Sequence, residues 1–506
     1  RFTPADSGRA GSPVVYRAFA GERPVVSGGR PITMQRQGEL WVAQLPEVAA
    51  GRWWFNQLFI NGQRRTRART PNEGYHQVAG YVGDKNHPQA KTAFRFAAGD
   101  LEPWPDLDQA MVTVYHSWET SLLPVKQADP EQRVVEFAGP AAWHFGYFGE
   151  LPRYVVEGVR AALDAPGEWL LDRRGGELRY LPLPGEDPAT AEVIAPVTTE
   201  LLQLTGDTQV GLPVEHLAFE GISWQHADWS LEPTGHSDSQ AVSTLGAAIT
   251  VSGAVDCAFR NNELAHLGRY GIWFRTGSQR NEFRGNHLYD LGAGGVRVGE
   301  TSLPPTAAAA VGQTVVDNNY LHDYGQVYAG GVGIYLGQTS DNQISHNEIH
   351  DGNYSGISVG WNWGSGPTAA HRNRIEFNHI HHVLRGVLSD GGGIYTLGSS
   401  PGTVIRGNYI HDIFSYSQPL IAWGIYLDAE SNQITVTDNL VHHTTSGGLM
   451  MHNGAWANTV TNNIFAAGAN QLIWRSPGTV QEPNRFERNV MGVLQGELFY
   501  HDARPD

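Results

Sequence analysis

Two aspartates stand where a carboxyl group could do chemistry. Asp428 closes the run Gly424-Ile425-Tyr426-Leu427-Asp428, and Asp390 precedes Gly391-Gly392-Gly393-Ile394-Tyr395. Cleaving a glycosidic bond needs one protonated carboxyl for the leaving oxygen and a second, ionised one as nucleophile or base. Neighbouring aromatics and partial burial would raise Asp428 toward the range of a general acid. The structural alternative is a surface Asp paired with Arg475 or Arg275. The glycines beside Asp390 let the backbone approach a ligand closely; here the alternative is a turn Asp that caps local amides. A histidine series, His322, His350, His381, His411 and His442, is followed at the next position by Asp323, Asp351, His382, Asp412 and His443. Such stacked groups could orient substrate or hold a structural Ca²⁺, or simply satisfy turn amides. No zinc site is expected, because the ligands recur once per unit instead of converging on one point.

The element that must position these groups is a repeat. Asn-x-(Ile/Leu), or a close variant of it, recurs at Asn262, Asn286, Asn319, Asn347, Asn378, Asn408, Asn439, Asn463 and Asn489, with steps of 24, 33, 28, 31, 30, 31, 24 and 26 residues. Between these lie Gly-(Ile/Val/Leu) phrases at Gly271, Gly295, Gly333, Gly356, Gly393, Gly424 and Gly448, with Gln471 in the equivalent place. Units of this size, with short β runs and no helical period, read as coils of a right-handed parallel β-helix tied by an Asn ladder. Period-2 alternation sends Ile272, Val296, Ile334, Ile357, Ile394 and Ile425 inward. The intervening row, Trp273, Arg297, Tyr335, Ser358, Tyr395, Tyr426 and Met450, should then face solvent as an aromatic, sugar-binding strip. The row two residues further on carries Arg275, Asp428, His452 and Arg475.

Insertions mark where function sits. The Asn-to-Gly step of 8 or 9 residues grows to 14, 15 and 16 after Asn319, Asn378 and Asn408. The extra segments, Asp323–Gly331, Val383–Gly392 and Ile413–Trp423, should stack into one wall. A further insertion with Trp361 and Trp363 lies at the opposite strand edge, and loops on both sides of a rigid strip make a cleft. Trp361, Trp363, Trp423 and Tyr416 are expected to stack on sugar faces. One difficulty is geometric. Along an unbroken strand Asp390 would lie seven residues, at about 3.3 Å each, from the level of Asp428, whereas working pairs are roughly 5–9.5 Å apart. The glycine turn must fold Asp390 back over the strip; otherwise Glu430 or Asp412 is the better partner.

Composition narrows the classes. The chain has 506 residues, one cysteine (Cys257), 60 glycines and a net charge of −16. A single cysteine excludes a disulfide scaffold or a Cys-rich metal site. The acidic balance argues against nucleic acid or an anionic membrane as partner, and no apolar run is long enough for a membrane span. The expected organisation is opening coils over 1–32, an inserted β-rich sandwich or barrel over 33–205 with one helix at Val155–Ala162, and a catalytic β-helix over 206–506. The chain starts at Arg1 with no apolar leader, so a secreted or periplasmic protein whose signal lies outside this sequence is expected.

Leu58-Phe59-Ile60-Asn61-Gly62-Gln63-Arg64-Arg65-Thr66-Arg67-Ala68-Arg69 with Pro71-Asn72 resembles the N-terminal signature of β-helix glycoside hydrolases, above all glycoside hydrolase family 141. Phe219-Glu220-Gly221-Ile222 with His226-Ala227-Asp228-Trp229, and Ser389-Asp390-Gly391-Gly392-Gly393-Ile394-Tyr395, extend the similarity over nearly the whole chain. The resemblance implies hydrolysis of plant or algal cell-wall glycans, by α-L-fucosidases and xylanases, with Asp390 and Asp428 as the catalytic pair. The substrate-binding set expected around that pair is His452, Tyr395, Tyr426, His411, Asp412, His382, Glu430, Trp361, Trp363, Trp423, Tyr335 and Arg475, with no cofactor beyond a structural Ca²⁺. Deep insertion walls favour a pocket and release of a terminal sugar, hence α-L-fucose. An endo-xylanase, a β-helix lyase acting on a uronate polymer through Arg275, Arg297 or His452, and a non-catalytic glycan-binding solenoid are the competing readings.

Overall fold

The computed structural model describes residues 1–416, 421–476, 482–494 and 496–501. The chain forms two compact units, one of residues 1–26, 200–225 and 245–506, the other of 27–199 and 226–244.

The first unit winds through three parallel sheets of eleven strands each. One coil shows the plan: Ala258–Arg260 lies in the first sheet, Glu263–Leu267 in the second and Tyr270–Phe274 in the third. The opening strand Val14–Arg17 pairs in parallel with Leu217–Glu220. In the third sheet Ile272, Val296, Ile334, Ile357, Ile394, Ile425 and Leu449 are register partners from coil to coil, and all are fully buried. Removing such a side chain from water contributes about 1.5–3 kcal/mol each, so this row is a main source of the solenoid's stability.

The Asn ladder fixes the coil height. From Asn262 to Asn463 each side-chain Nδ2 and backbone N–H donate to the Oδ1 of the next ladder Asn at 2.9–3.1 Å. In seven second-sheet strands of five residues the fourth is His266, Asp290, Asp323, Asp351, His382, Asp412 or His443, all at φ of 50–57°. Short polar side chains tolerate this left-handed region best, which is why His and Asp recur there.

A second ladder runs five residues earlier. Asn342 and Asn458 donate to Asn373 and Asn484, while the amides of Cys257, Thr314 and Ile434 donate to Asn281, Asn342 and Asn458. Cys257 thus fills one rung of a turn, its thiol buried.

The second unit has an eight-stranded and a nine-stranded sheet, each with its own apolar core. It takes in 226–244, where His236–Ser237 pairs with Thr120–Asp129, in place of a simple insertion over 33–205. The expected helix at Val155–Ala162 is instead the strand Arg153–Glu157 followed by a 3-10 turn at Arg160–Ala162. β-branched Val155 and Val156 favour the extended form, and Gly158 at φ +82° breaks the run. Within the Leu58–Arg69 run, Arg65 pairs with Glu186 at 2.6 Å and Arg64 bonds Gln57, so these charges have partners inside their own unit.

Candidate active site

Asp428 ends the third-sheet strand Ala422–Asp428, whose neighbours are Gly391–Leu397 and Gly447–Met451. Three donors hold its carboxylate: Tyr395 Oη to Oδ2 at 2.6 Å, His452 Nδ1 to Oδ1 at 2.7 Å, and the Ala429 amide to Oδ1 at 2.7 Å. Asp390 lies at the end of the long loop, and φ of 55° turns it back. Its amide donates to the Ile421 carbonyl at 2.7 Å, and its carbonyl accepts from Tyr354 Oη at 3.0 Å. Ser415 Oγ donates to Ser389 Oγ at 2.9 Å, so the loops of consecutive coils do stack. Residues 417–420 of the Ile413–Trp423 segment lie outside the described residues.

The turn resolves the geometric difficulty. Tyr426 Oη donates to Asp390 Oδ1 at 3.0 Å and lies 3.4 Å from His452 Nδ1, which in turn bonds Asp428. These three links join the two carboxyl groups and hold their linked oxygens at most about 9 Å apart, inside the upper limit of roughly 9.5 Å for a glycosidase pair.

Their environments differ. Burial, reinforced by the charge of Asp428, pushes Asp390 up to about 7, against the opposing pull of His452 and Tyr426. Burial also works against a charged His452, but its bond to Asp428 and the field of both carboxyls outweigh this and raise its pKa. The carboxyl that burial raises toward a general-acid value is Asp390.

The aromatic row does not face solvent. Trp273, Arg297, Tyr335, Tyr395, Tyr426 and Met450 are at most 6% exposed. Alternation sends them away from the solenoid interior, but they cover one another. Arg297 sits 3.7 Å above the Trp273 ring and 5.2 Å from that of Tyr335. Tyr395, Leu397, Trp423, Tyr426, Ala429 and Met450 form one cluster, against which Trp361, Ile421 and Trp474 pack. Trp423 is therefore a fully buried strand residue, not a loop platform. Trp361 touches Tyr335 and Trp363, with centroids 5.9 and 6.5 Å away, and Trp363 is the member of this group open to solvent.

Arg475 does not extend the Asp428–His452 row. The next-to-last strand of this sheet, Gln471–Arg475, is offset by one residue, pairing Leu449 with Ile473, Met450 with Trp474 and Met451 with Arg475. Gln471 is thus the partner of Gly447 and not of Gly448, and Trp474 joins the aromatic row, 6.3 Å from the His452 ring. Glu430 sits two residues past Asp428 in the turn, at φ of 63°.

His382, His411 and Asp412 belong to the second sheet, on the strands His379–Val383 and Tyr409–Ile413. There His322, His350, His381, His411 and His442 stack face to face, with centroids 4.7–5.1 Å apart. Asp412 bonds its own neighbour His411 at 2.7 Å. These residues form a separate row on a different sheet from Asp428. On that sheet Glu348, His379 and His381 bring three metal-ligating atoms within 4.8 Å of one another. Glu348 and His379 escaped the sequence reading because they occupy the position after the ladder Asn, where Tyr, Leu and Ile also occur.

A family model described as right handed beta helix region matches residues 236–363 and 306–481. No significant sequence match exists among curated proteins. A solved structure titled "Glycoside hydrolase" superposes with a TM-score of 0.81 at 25% identity, over 97% of this chain and 86% of that one. The complex of XylC with xylose is similar in fold, with a TM-score of 0.51 at 14% identity, over 94% of this chain and 77% of that one. Stacked parallel sheets, Asn ladders and these matches together make the chain an all-β protein built on a right-handed parallel β-helix, with a β-rich unit inserted near its N-terminus.

Proposed function

We propose that the protein is a glycoside hydrolase whose catalytic pair is Asp390 and Asp428, releasing a terminal sugar, α-L-fucose, from a cell-wall or algal polysaccharide. The observation that carries this reading is the linkage of the two carboxyls through Tyr426 and His452, with Asp390 raised to about 7. Asp390 holds a proton near neutral pH and gives it to the glycosidic oxygen as the bond breaks. Asp428, oriented by Tyr395, His452 and the Ala429 amide, acts at the anomeric carbon, directly or through a water. In the direct case water then cleaves the sugar from Asp428 and its proton goes to Asp390; in the other the attacking water loses its proton to Asp428, and solvent reprotonates Asp390. Trp363, exposed beside Trp361, offers an apolar face for a sugar ring. The structural likeness to a glycoside hydrolase over nearly the full chain supports the reaction class.

A lyase would need free cations on the strip. Arg275 is paired with Glu300 at 3.0 Å and Arg297 is buried among aromatic rings, which favours hydrolysis. The test is a screen of aryl α-L-fucoside against xylan and pectin fragments, with Asp428→Asn as the blank. Release of aglycone from the fucoside supports the reading. Activity confined to xylan replaces fucoside by xylan as substrate, and unsaturated products absorbing in the ultraviolet sink hydrolysis altogether.

A further inference from the structure

The second sheet carries a group of ligands that the hydrolytic reading does not use. Glu348 and His379 are register partners on adjacent coils, and His381 lies two residues after His379 on the same strand face. Glu348 Oε1 is 3.5 Å from His381 Nε2 and 3.7 Å from His379 Nδ1. The far nitrogens are engaged: His379 Nε2 lies 2.9 Å from His411 Nε2, and His381 Nδ1 lies 2.8 Å from His382 Nδ1. That leaves His379 Nδ1 and His381 Nε2 turned toward the carboxylate. His381 Nε2 is buried and has no hydrogen-bond partner, a state that costs about 1–3 kcal/mol unless something binds there.

We propose that Glu348, His379 and His381 bind one divalent transition-metal ion of the zinc class, clipping two neighbouring coils on the sheet that does not carry Asp428. Ligand atoms about 2.0–2.1 Å from a tetrahedral zinc are ~3.3 Å from each other, so the two distances from Glu348 need to close by only a few tenths of an ångström, while the two imidazole nitrogens start within 4.8 Å of one another. Two imidazoles and one carboxylate suit zinc, nickel or copper better than calcium, which takes six or more oxygens. Three protein ligands leave a position for water, and Glu348 is about half exposed, so the ion can enter and leave. Flat packing of His381 between His350 and His411 pre-orients its ring, and the engaged outer nitrogens hold the tautomers, as supporting hydrogen bonds do around bound metals. An internal comparison sharpens the point. Glu263 and His287 repeat the Glu-above-His pairing, but Tyr289 stands where His381 would be, and His287 Nε2 faces His322. Two donors remain there instead of three.

The proposal does not depend on the hydrolytic reading. The full chain, dialysed against a chelator, is titrated with zinc chloride by calorimetry. One equivalent should bind, Glu348→Gln should weaken it at least ~10-fold, and His381→Phe, which keeps the flat ring in the stack, should abolish it. His442→Phe, in the same ladder outside the triad, should leave it unchanged. Absence of zinc binding overturns the proposal. So does binding of several equivalents indifferent to Glu348→Gln, which would make the whole ladder an adventitious chelator. Glu348 is a surface side chain, so that variant remains decisive if His381→Phe fails to fold.

Discussion

Replacing Asp390 by Asn should stabilise the protein, and should do so only away from acid pH. In the folded chain Asp390 is pushed up to about 7, from an ordinary value of 3.8. Between those two values the folded protein keeps a proton that the unfolded chain has released. The contribution is therefore fully present below 3.8 and is lost as the pH rises through about 7. Three pH units at 1.36 kcal/mol each put the full loss at about 4 kcal/mol; partial access to solvent brings the expected range to about 2–4 kcal/mol. The amide introduced by Asp390→Asn would carry no charge at any pH, and its oxygen can still accept the Tyr426 hydroxyl. Urea denaturation followed by tryptophan fluorescence, at pH 4, 6 and 8, reads the difference between variant and native chain. The gap should be close to zero at pH 4 and widen steadily to pH 8 in favour of Asp390→Asn. A gap that does not change with pH, or a native chain more stable at pH 8, would refute the claim that this carboxyl is held protonated by its surroundings.

Two further outcomes follow from the same geometry. Tyr426→Phe removes the hydroxyl that stabilises ionised Asp390, so the alkaline limb of kcat/KM should move up by about one pH unit, the scale of one bond to a charged group; a limb that stays in place or moves down contradicts the assignment. Asn378→Ala deletes the donor to Asn408 and the acceptor for Asn347 inside a buried ladder, which should cost about 2–4 kcal/mol, read as a lowered urea midpoint, whereas an unchanged midpoint would make the ladder dispensable.

The fold was largely legible because its determinants are periodic. Ladder Asn residues and inward Ile residues each satisfy a local demand that returns once per coil, so their spacing announces the architecture. The second ladder escaped notice because Cys257, Thr314 and Ile434 interrupt it, although its offset of five residues from the first is constant. Alternation reports which way Tyr395 and Tyr426 point but not what covers them, so an outward row was read as an open one. The offset of the strand Gln471–Arg475 has no mark in the sequence, because no glycine stands at its start, and Arg475 is displaced from the expected row. At the candidate site, the aspartates were visible as chemical types beside glycines. Their meeting depends on one backbone angle at Asp390 and on a tyrosine reaching across from the next coil, and neither leaves a trace in spacing. The same limit hid the convergence of Glu348 with His379 and His381, which exists only between strands.

The central claim is that Asp390 donates the proton and Asp428 acts at the anomeric carbon. Its most direct test is kcat/KM for a series of aryl glycosides of the sugar identified by the screen, differing in leaving-group pKa, measured with the native chain and both Asn variants. General acid catalysis contributes about 10²–10⁴-fold, so Asp390→Asn should lose that much on poor leaving groups and little on a 2,4-dinitrophenyl glycoside, while Asp428→Asn should lose activity on all of them. Equal losses across the series for Asp390→Asn, or native rates in Asp428→Asn, would contradict the account.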